Sequence, residues 1–473
     1  MKKKIGAIVM AGLMACTMTA GVAFAAGCGG SGFTEFEMPD GGFDTSKKVT
    51  IKFYHTMGQD LKAVLTQYIA SFNELYPNIT IEDEQVGGYE DVRDQIVTEI
   101  SAGSGDHPNI AYCYPDHVAL FNQSNAVMPL NAFLQDSEYN NMKVTRADGT
   151  EESLCFTKAQ TDAFIKGYYD EGFQFDDGTK MYTLPFSKST EVLYYNKTFF
   201  DAHNLTAPKT WEEMKNVCAE IKKIEPNSIP LGYDSESNWF ITMCEQYGSP
   251  YTSADGNHFL FDNETNRGFV KEFYDWYQLG YFTTQELNKQ YTSNLFKSQT
   301  SYMCIGSSAG AKNQSPGRTD GTYPFEIDIT SIPQIHPENP KVISQGPSVC
   351  IFKHDDPQEV LASWLFVKYL TTNIGFQAQF SATSGYVPVI KTVTENETYK
   401  KNLDAADGFG NVTYLAAKVC MAQEAAYYTS PAFVGSARAR DQVGYLMQAV
   451  FSSSKTIEQA FKDAIDECEF FAN

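Results

Sequence analysis

What this chain has little of narrows its chemistry first. After residue 27 no apolar run is long enough to cross a bilayer, which takes about 20 such residues in a helix, so the body carries no second spanning segment. Positive charge is scarce: 36 Lys and Arg stand against 58 Asp and Glu, a formal net charge of -22. Nucleic acids and anionic lipid surfaces are both held by lysine and arginine, so neither is an expected partner. The seven histidines form no H-E-x-x-H and the cysteines no C-x-x-C, so neither a metal nor any other cofactor is called for. No internal repeat of about 20–50 residues is visible, which excludes a solenoid.

Hydrophobic residues at 42% with 20% charged residues describe a folded chain. A length of 473 residues exceeds what one small core organises and suits two lobes. Cys113, Cys155, Cys218, Cys244, Cys304, Cys350, Cys420 and Cys468 are scattered, several inside apolar runs such as Tyr112-Cys113-Tyr114. Cysteine there acts as a small hydrophobe, and mostly free, buried thiols are expected, although an exported chain also permits disulfides.

The amino terminus carries an address. Lys2, Lys3 and Lys4 precede a charge-free, mostly apolar stretch from Ile5 to Gly27, the layout of an export signal. It ends in Ala25-Ala26-Gly27-Cys28 and passes into Gly29-Gly30-Ser31-Gly32. A cysteine at the cut followed by a glycine-serine segment resembles a bacterial lipoprotein signal. That resemblance implies removal of residues 1–27, a lipid on Cys28 and a flexible tether over 28–47. Two rivals stay open: Leu13-Met14-Ala15-Cys16 fits the lipoprotein box by residue type, and Ala23-Phe24-Ala25 suits an ordinary signal peptidase.

Beyond the tether, strand and helix periodicities alternate. Val49 to Tyr54 alternates as a strand, and Leu61, Val64, Leu65, Tyr68, Ile69, Phe72 and Leu75 recur at helical spacing. Ile79 to Val86 predicts the next strand, Val92 to Ile100 a helix ended by Gly103, and Asn109 to Tyr114 a third strand. Such a β-α-β-α-β run predicts a parallel sheet flanked by helices, with ligands beyond the carboxyl ends of its strands. Further on, a strand is predicted at Val192 to Tyr195 and helices at Trp211 to Lys223, Gln358 to Leu370 and Thr456 to Cys468. Residues 134–180 are polar and give no clear assignment.

Several segments then point to a family. FYHTM (53–57), LPFSKSTEVLYYNKTFF (184–200), APKTWEEM (207–214), SYMCIGSSAG (301–310) and SGYVPV (384–389) stand in an order and spacing that resembles the extracellular solute-binding proteins of the sugar-binding class, family 1. The resemblance covers nearly everything from Val49 to Glu469. It implies an α/β fold of two discontinuous lobes with a ligand cleft between them, like the type II, maltose-binding class. The expected ranges are 48–185 with 301–352 for the first lobe and 186–300 with 353–473 for the second. It also implies a monomer that captures a carbohydrate-class solute by hinge closure and hands it to the permease of an ABC importer, from the outer face of the cytoplasmic membrane. No reaction is implied.

Candidate contacts follow from position and type. Sugar rings pack apolar C–H faces on aromatic rings, while their hydroxyls need carboxylates, amides and hydroxyls. Tyr54 and His55 end the first strand and either line the cleft or pack locally. Tyr114 and Asp116 follow the third strand, where Asp116 either accepts ligand hydroxyls or caps a helix. Glu191 either faces the solute or is an exposed strand residue. Trp239, beside the polar run 234–238, either stacks on a ligand or anchors the second core. Gly306, Ser307 and Ser308 offer donors after a strand, and Tyr386 in SGYVPV matches a position where the family places a cleft residue. The segment Ser430 to Arg438 resembles the branch binding glycerol-3-phosphate and phosphodiesters, in which an arginine five residues after a phenylalanine contacts phosphate. That spacing from Phe433 selects Arg438, with Arg440 as the competitor and a salt-bridge role as the alternative.

Two other classes stay in view. Gly306-Ser307-Ser308-Ala309-Gly310 satisfies the G-x-S-x-G pattern of a nucleophile elbow, but Lys312 to Gly317 cannot sustain the long helix an elbow requires. A glycoside hydrolase would need a paired set of carboxylates, and no pair is singled out by its surroundings. A surface adhesin would bind a polymer without closing on it.

Overall fold

The computed structural model describes residues 33–472, apart from 34, 104 and 176. Cys28, Cys16 and the export signal lie outside the described residues. Residues 33–47 are not a free tether: Phe43 is buried, Phe36 and Met38 pack against the same core, and the Gln358 amide donates to the Gly42 carbonyl.

The predicted early elements form with small shifts in their ends. Val49–His55, Ile79–Gln85 and Ile110–Cys113 are strands, separated by the helices Gln59–Leu75 and Tyr89–Ala102. Gly103 takes a left-handed backbone at φ 63° and stops the second helix. These three strands run parallel, in the order Ile79–Gln85, Val49–His55, Ile110–Cys113. Two later strands complete the sheet antiparallel, Ser348–Ile351 and Leu184–Pro185, so it is mixed where an all-parallel sheet was expected.

A second sheet is built on the long strand Ser189–Asn196. It pairs antiparallel with Met303–Ser307, Ile327–Ser331 and Val342–Gln345. Leu231–Tyr233 and Phe282–Thr284 extend this sheet on the far side of Met303–Ser307. The sheets therefore divide the chain differently from the expected ranges. Met303–Ser307 and Val342–Gln345 belong with the second sheet, whereas helix Pro357–Thr372 packs on Val49–His55 of the first. The predicted helices at 211, 358 and 456 are present as Trp211–Ile224, Pro357–Thr372 and Ile457–Ala472.

Aromatic packing dominates both cores. Trp364 stacks on Phe133 at 4.7 Å in the first, and Trp239 meets Phe273 at 4.6 Å in the second. The first core continues past its sheet to Val192, Tyr194 and Ile327, so the lobes share apolar contact behind the cleft. All eight cysteines from Cys113 to Cys468 are free and buried. No helix among the described residues is long and apolar enough to cross a membrane.

The chain passes between the sheets at close quarters. Residues 186–188 link Leu184–Pro185 to Ser189–Asn196, and residues 346–347 link Val342–Gln345 to Ser348–Ile351. Gly346 has φ 87°, and a Cβ there would sit 2.5 Å from the Ser187 carbonyl oxygen and 2.8 Å from the Lys188 Cα. Only glycine fits such a contact between crossing segments.

Candidate ligand-binding cleft

A cleft opens where the first sheet's carboxyl ends meet the second sheet. Its volume is ≈ 810 Å³ including the side open to solvent. The first sheet's elements supply Glu90, Arg93, Tyr114, Asp116 and His117; the opposite wall holds Gln345, Ser436, Arg440 and Asp441. Three buried side-chain atoms of its lining residues have no hydrogen-bond partner among the described residues: the Tyr251 hydroxyl, the His117 Nδ1 and the Ser344 hydroxyl. Burial lowers the pKa of His117 and favours the neutral ring. A ligand or water in the cleft would complete the bonding of these three atoms.

Tyr114 of this lining belongs to a cluster of tyrosines. Tyr89, at the start of its helix, lies 4.9 Å ring to ring from Tyr114 and parallel to Tyr112 at 6.4 Å. Its hydroxyl meets that of Tyr386 at 3.1 Å. Burial raises the pKa of Tyr89, Tyr114 and Tyr386, so all three stay protonated and can donate.

Gln345 and Arg440 of the lining join a polar network centred on Asn238. Its Nδ2 donates to Glu191 Oε1 at 3.0 Å and to Gln345 Oε1 at 2.7 Å, and Gln345 Nε2 donates back to Asn238 Oδ1 at 2.9 Å. The Arg440 guanidinium also donates to Asn238 Oδ1. Glu191 is 1% exposed, accepts from the Tyr233 hydroxyl, and its pKa is pushed up to about 7 by burial, against the hydrogen bonds of Tyr233 and Asn238. Glu191 and Asn238 line a second cavity of ≈ 1180 Å³ including its open side, with Asp234, Ser307 and Gln314. The network is thus the shared wall between two hollows.

The structure sorts the candidates. Tyr114, Asp116, Glu191 and Tyr386 fall in or beside this region. Asp116 sits in the first helical turn while Tyr114 holds the cap position, and its Oδ1 accepts from the His117 amide at 2.9 Å. Glu191 is buried, which overturns the exposed-strand reading. Ser307 lines the second cavity, but its hydroxyl already accepts from the Ala309 amide at 3.2 Å.

The other candidates lie elsewhere. Tyr54 is 2% exposed and donates to Glu99 at 3.0 Å on the sheet's far face. His55 is fully buried, its Nδ1 accepting from the Met57 amide at 3.1 Å and its Nε2 donating toward Asp83 at 3.3 Å. Trp239 lies in the helix Glu236–Tyr247 and packs in the second core, because Ser235 caps a helix where a loop was expected. Gly306 pairs within the sheet, and a Cβ there would sit 2.7 Å from Asp234 Oδ2, so it clears space for that carboxylate. Ser308 is fully buried, its hydroxyl accepting from the Thr190 amide at 3.3 Å, and the helix after it has four residues, Ala311–Gln314. No nucleophile elbow forms. Arg438 pairs with Glu467 at 3.0 Å on the outer helix face, while Arg440 reaches the cleft.

Sequence reasoning missed Tyr89, Asn238, Gln345 and Tyr251. Asn238 carried a signal, as a polar residue next to Trp239; Tyr251 carried none.

Comparison with known proteins agrees with this architecture. A family profile described as bacterial extracellular solute-binding protein matches residues 67–406. The sn-glycerol-3-phosphate-binding periplasmic protein UgpB of Salmonella typhimurium is 22% identical over 442 residues, covering 88% of this chain and 91% of its own. UgpB from Mycobacterium tuberculosis, solved with glycerophosphocholine, superposes with a TM-score of 0.71 at 15% identity over 89% of this chain and 98% of its own. Maltose-bound MalE3 of T. maritima superposes with a TM-score of 0.69 at 16% identity over 89% and 99%. The fold is the two-lobed α/β arrangement of the maltose-binding class.

Proposed function

The chain belongs to the bacterial extracellular solute-binding proteins, and from that premise we propose that it captures a carbohydrate-class solute, a sugar or oligosaccharide, for an ABC importer. The carrying observation is the cleft itself: Tyr114, packed against Tyr89, lines it together with Gln345 and Arg440, whose hydrogen-bond network takes in Asn238 and Glu191. Aromatic faces cover the C–H faces of a sugar, and amides, carboxylates and a guanidinium meet its hydroxyls. A solute touching both walls favours the closed form, which the membrane permease then engages. Lipid on Cys28 would hold the receptor near that permease; with this anchor it acts at the cell envelope.

A second reading rests on Arg440. A guanidinium in the cleft suits a phosphate oxygen pair, and the UgpB relatives bind sn-glycerol-3-phosphate. A thermal-shift panel of sugars, oligosaccharides, glycerol-3-phosphate and glycerophosphodiesters separates the two readings, because a ligand that binds only the folded state raises the melting temperature. A rise with neutral saccharides supports the first reading. A rise confined to phosphoesters replaces it with the second, and turnover of a glycan would overturn both.

A further inference from the structure

We propose that Lys188 is a positioning residue for cleft closure: its buried pair with Glu171 pins the crossing between the two sheets to the wall of the cleft. The proposal rests on the closure reading above and adds the element that transmits it. Lys188 is fully buried, in the segment that leaves the first sheet for the second. Its Nζ donates to Glu171 Oε1, to Ser348 Oγ at 3.0 Å and to the Gly346 carbonyl at 3.3 Å. Ser348 Oγ in turn donates to Glu171 Oε1 at 3.2 Å. Gly346 lies in the second crossing and Ser348 follows it, so one ammonium ties both crossings together.

The same residue reaches the ligand walls by two routes. Glu171 and Gly346 line the cleft. The Lys188 backbone exchanges hydrogen bonds with Val387, N to O at 3.1 Å and the reverse at 2.5 Å, and Val387 follows Tyr386 of the tyrosine cluster. A charge taken wholly out of water is retained only where partners are fixed, and replacing such a pair by apolar residues often leaves stability unchanged or higher. Removing both charges together is therefore expected to leave folding intact. Its geometry instead restricts how residues 186–188 and 346–347 rotate against each other, and hinges are short segments of this kind.

The test is the double variant Lys188→Met with Glu171→Leu, which removes both charges and leaves no unpaired ion. Circular dichroism and melting temperature report folding. Amide exchange of ligand-free protein over 184–190 and 345–350 reports the pin. Radius of gyration by small-angle scattering, with and without the best solute from the panel, reports closure. The expected result is a wild-type fold, exchange at least tenfold faster at both crossings, loss of solute-induced compaction and at least tenfold weaker affinity. A folded double variant with wild-type exchange, compaction and affinity overturns the proposal. If the double variant does not fold, Ser348→Ala removes one Nζ partner and keeps both charges. A smaller change in the same direction supports the pin, and wild-type behaviour overturns it. If the wild type itself compacts with no solute, the closure reading falls, and the ligand-free exchange still decides whether Lys188 holds the crossings.

Discussion

Tyr89 and Tyr386 meet hydroxyl to hydroxyl at 3.1 Å although 297 positions separate them in the chain. Their contact joins a helix start to the loop after Gly385, behind Tyr114 of the cleft lining. On the proposed function, Tyr386→Ala is expected to remove a ring that packs on the solute, an effect of roughly 1.5–3 kcal/mol. Solute affinity measured by titration calorimetry is expected to fall by about 10–100-fold, with Tyr386→Phe retaining most of it.

Arg438 and Arg440 separate in the same assay. Arg440→Ala removes the guanidinium bonded to Asn238 in the cleft and is expected to weaken binding by at least tenfold. Arg438→Ala breaks a partly exposed pair with Glu467, so a stability change of about 1 kcal/mol and an affinity near the wild-type value are expected.

Glu191 gives the stability a pH dependence. Its pKa stands at about 7 in the folded protein against an ordinary 4.5, with burial as the main cause. The folded state then holds the proton more tightly than the unfolded chain. Its contribution is most favourable below about pH 4.5 and is lost as pH rises through about 7, on the order of 3 kcal/mol in all. Glu191→Gln is expected to melt higher than the wild type at pH 8 and to show a smaller difference between pH 5 and pH 8.

Trp239 is a core residue, and its mutants should behave as such. Trp239→Ala leaves a large cavity beside Phe269 and Phe273 and is expected to cost about 3–5 kcal/mol by chemical denaturation. Trp239→Phe keeps a ring in that space and is expected to leave solute affinity unchanged. A drop in affinity at full stability would return Trp239 to a ligand-stacking role.

Most of the fold was legible because its signals are local. The alternation at Val49–His55 and the helical spacing at Gln59–Leu75 are written in consecutive residues. Sheet membership of Met303–Ser307 was not, since it depends on pairing with Ser189–Asn196, more than a hundred positions away. The site failed where one residue of offset reverses a face. On a helix, neighbours differ by about 100° and positions two apart by about 200°. Asn238 therefore joins the cleft network while Trp239 enters the core, and Arg440 reaches the cleft while Arg438 turns to Glu467. Motif spacing from Phe433 selected the right helix and the wrong face. On the first strand, successive residues point to opposite sides, and the burial of both Tyr54 and His55 leaves neither for a ligand. Gln345 enters the site beside a chain crossing and Tyr251 from the loop after Glu236–Tyr247, placements that no local pattern records.

The central claim is a solute held between two lobes that close on it. Small-angle scattering of the wild-type protein during titration with the solute that most raises its melting temperature tests this directly. The account predicts a saturable fall in the radius of gyration whose midpoint matches the calorimetric Kd, and no fall for Tyr386→Ala at the same solute concentration. Saturable binding with an unchanged radius of gyration would contradict it.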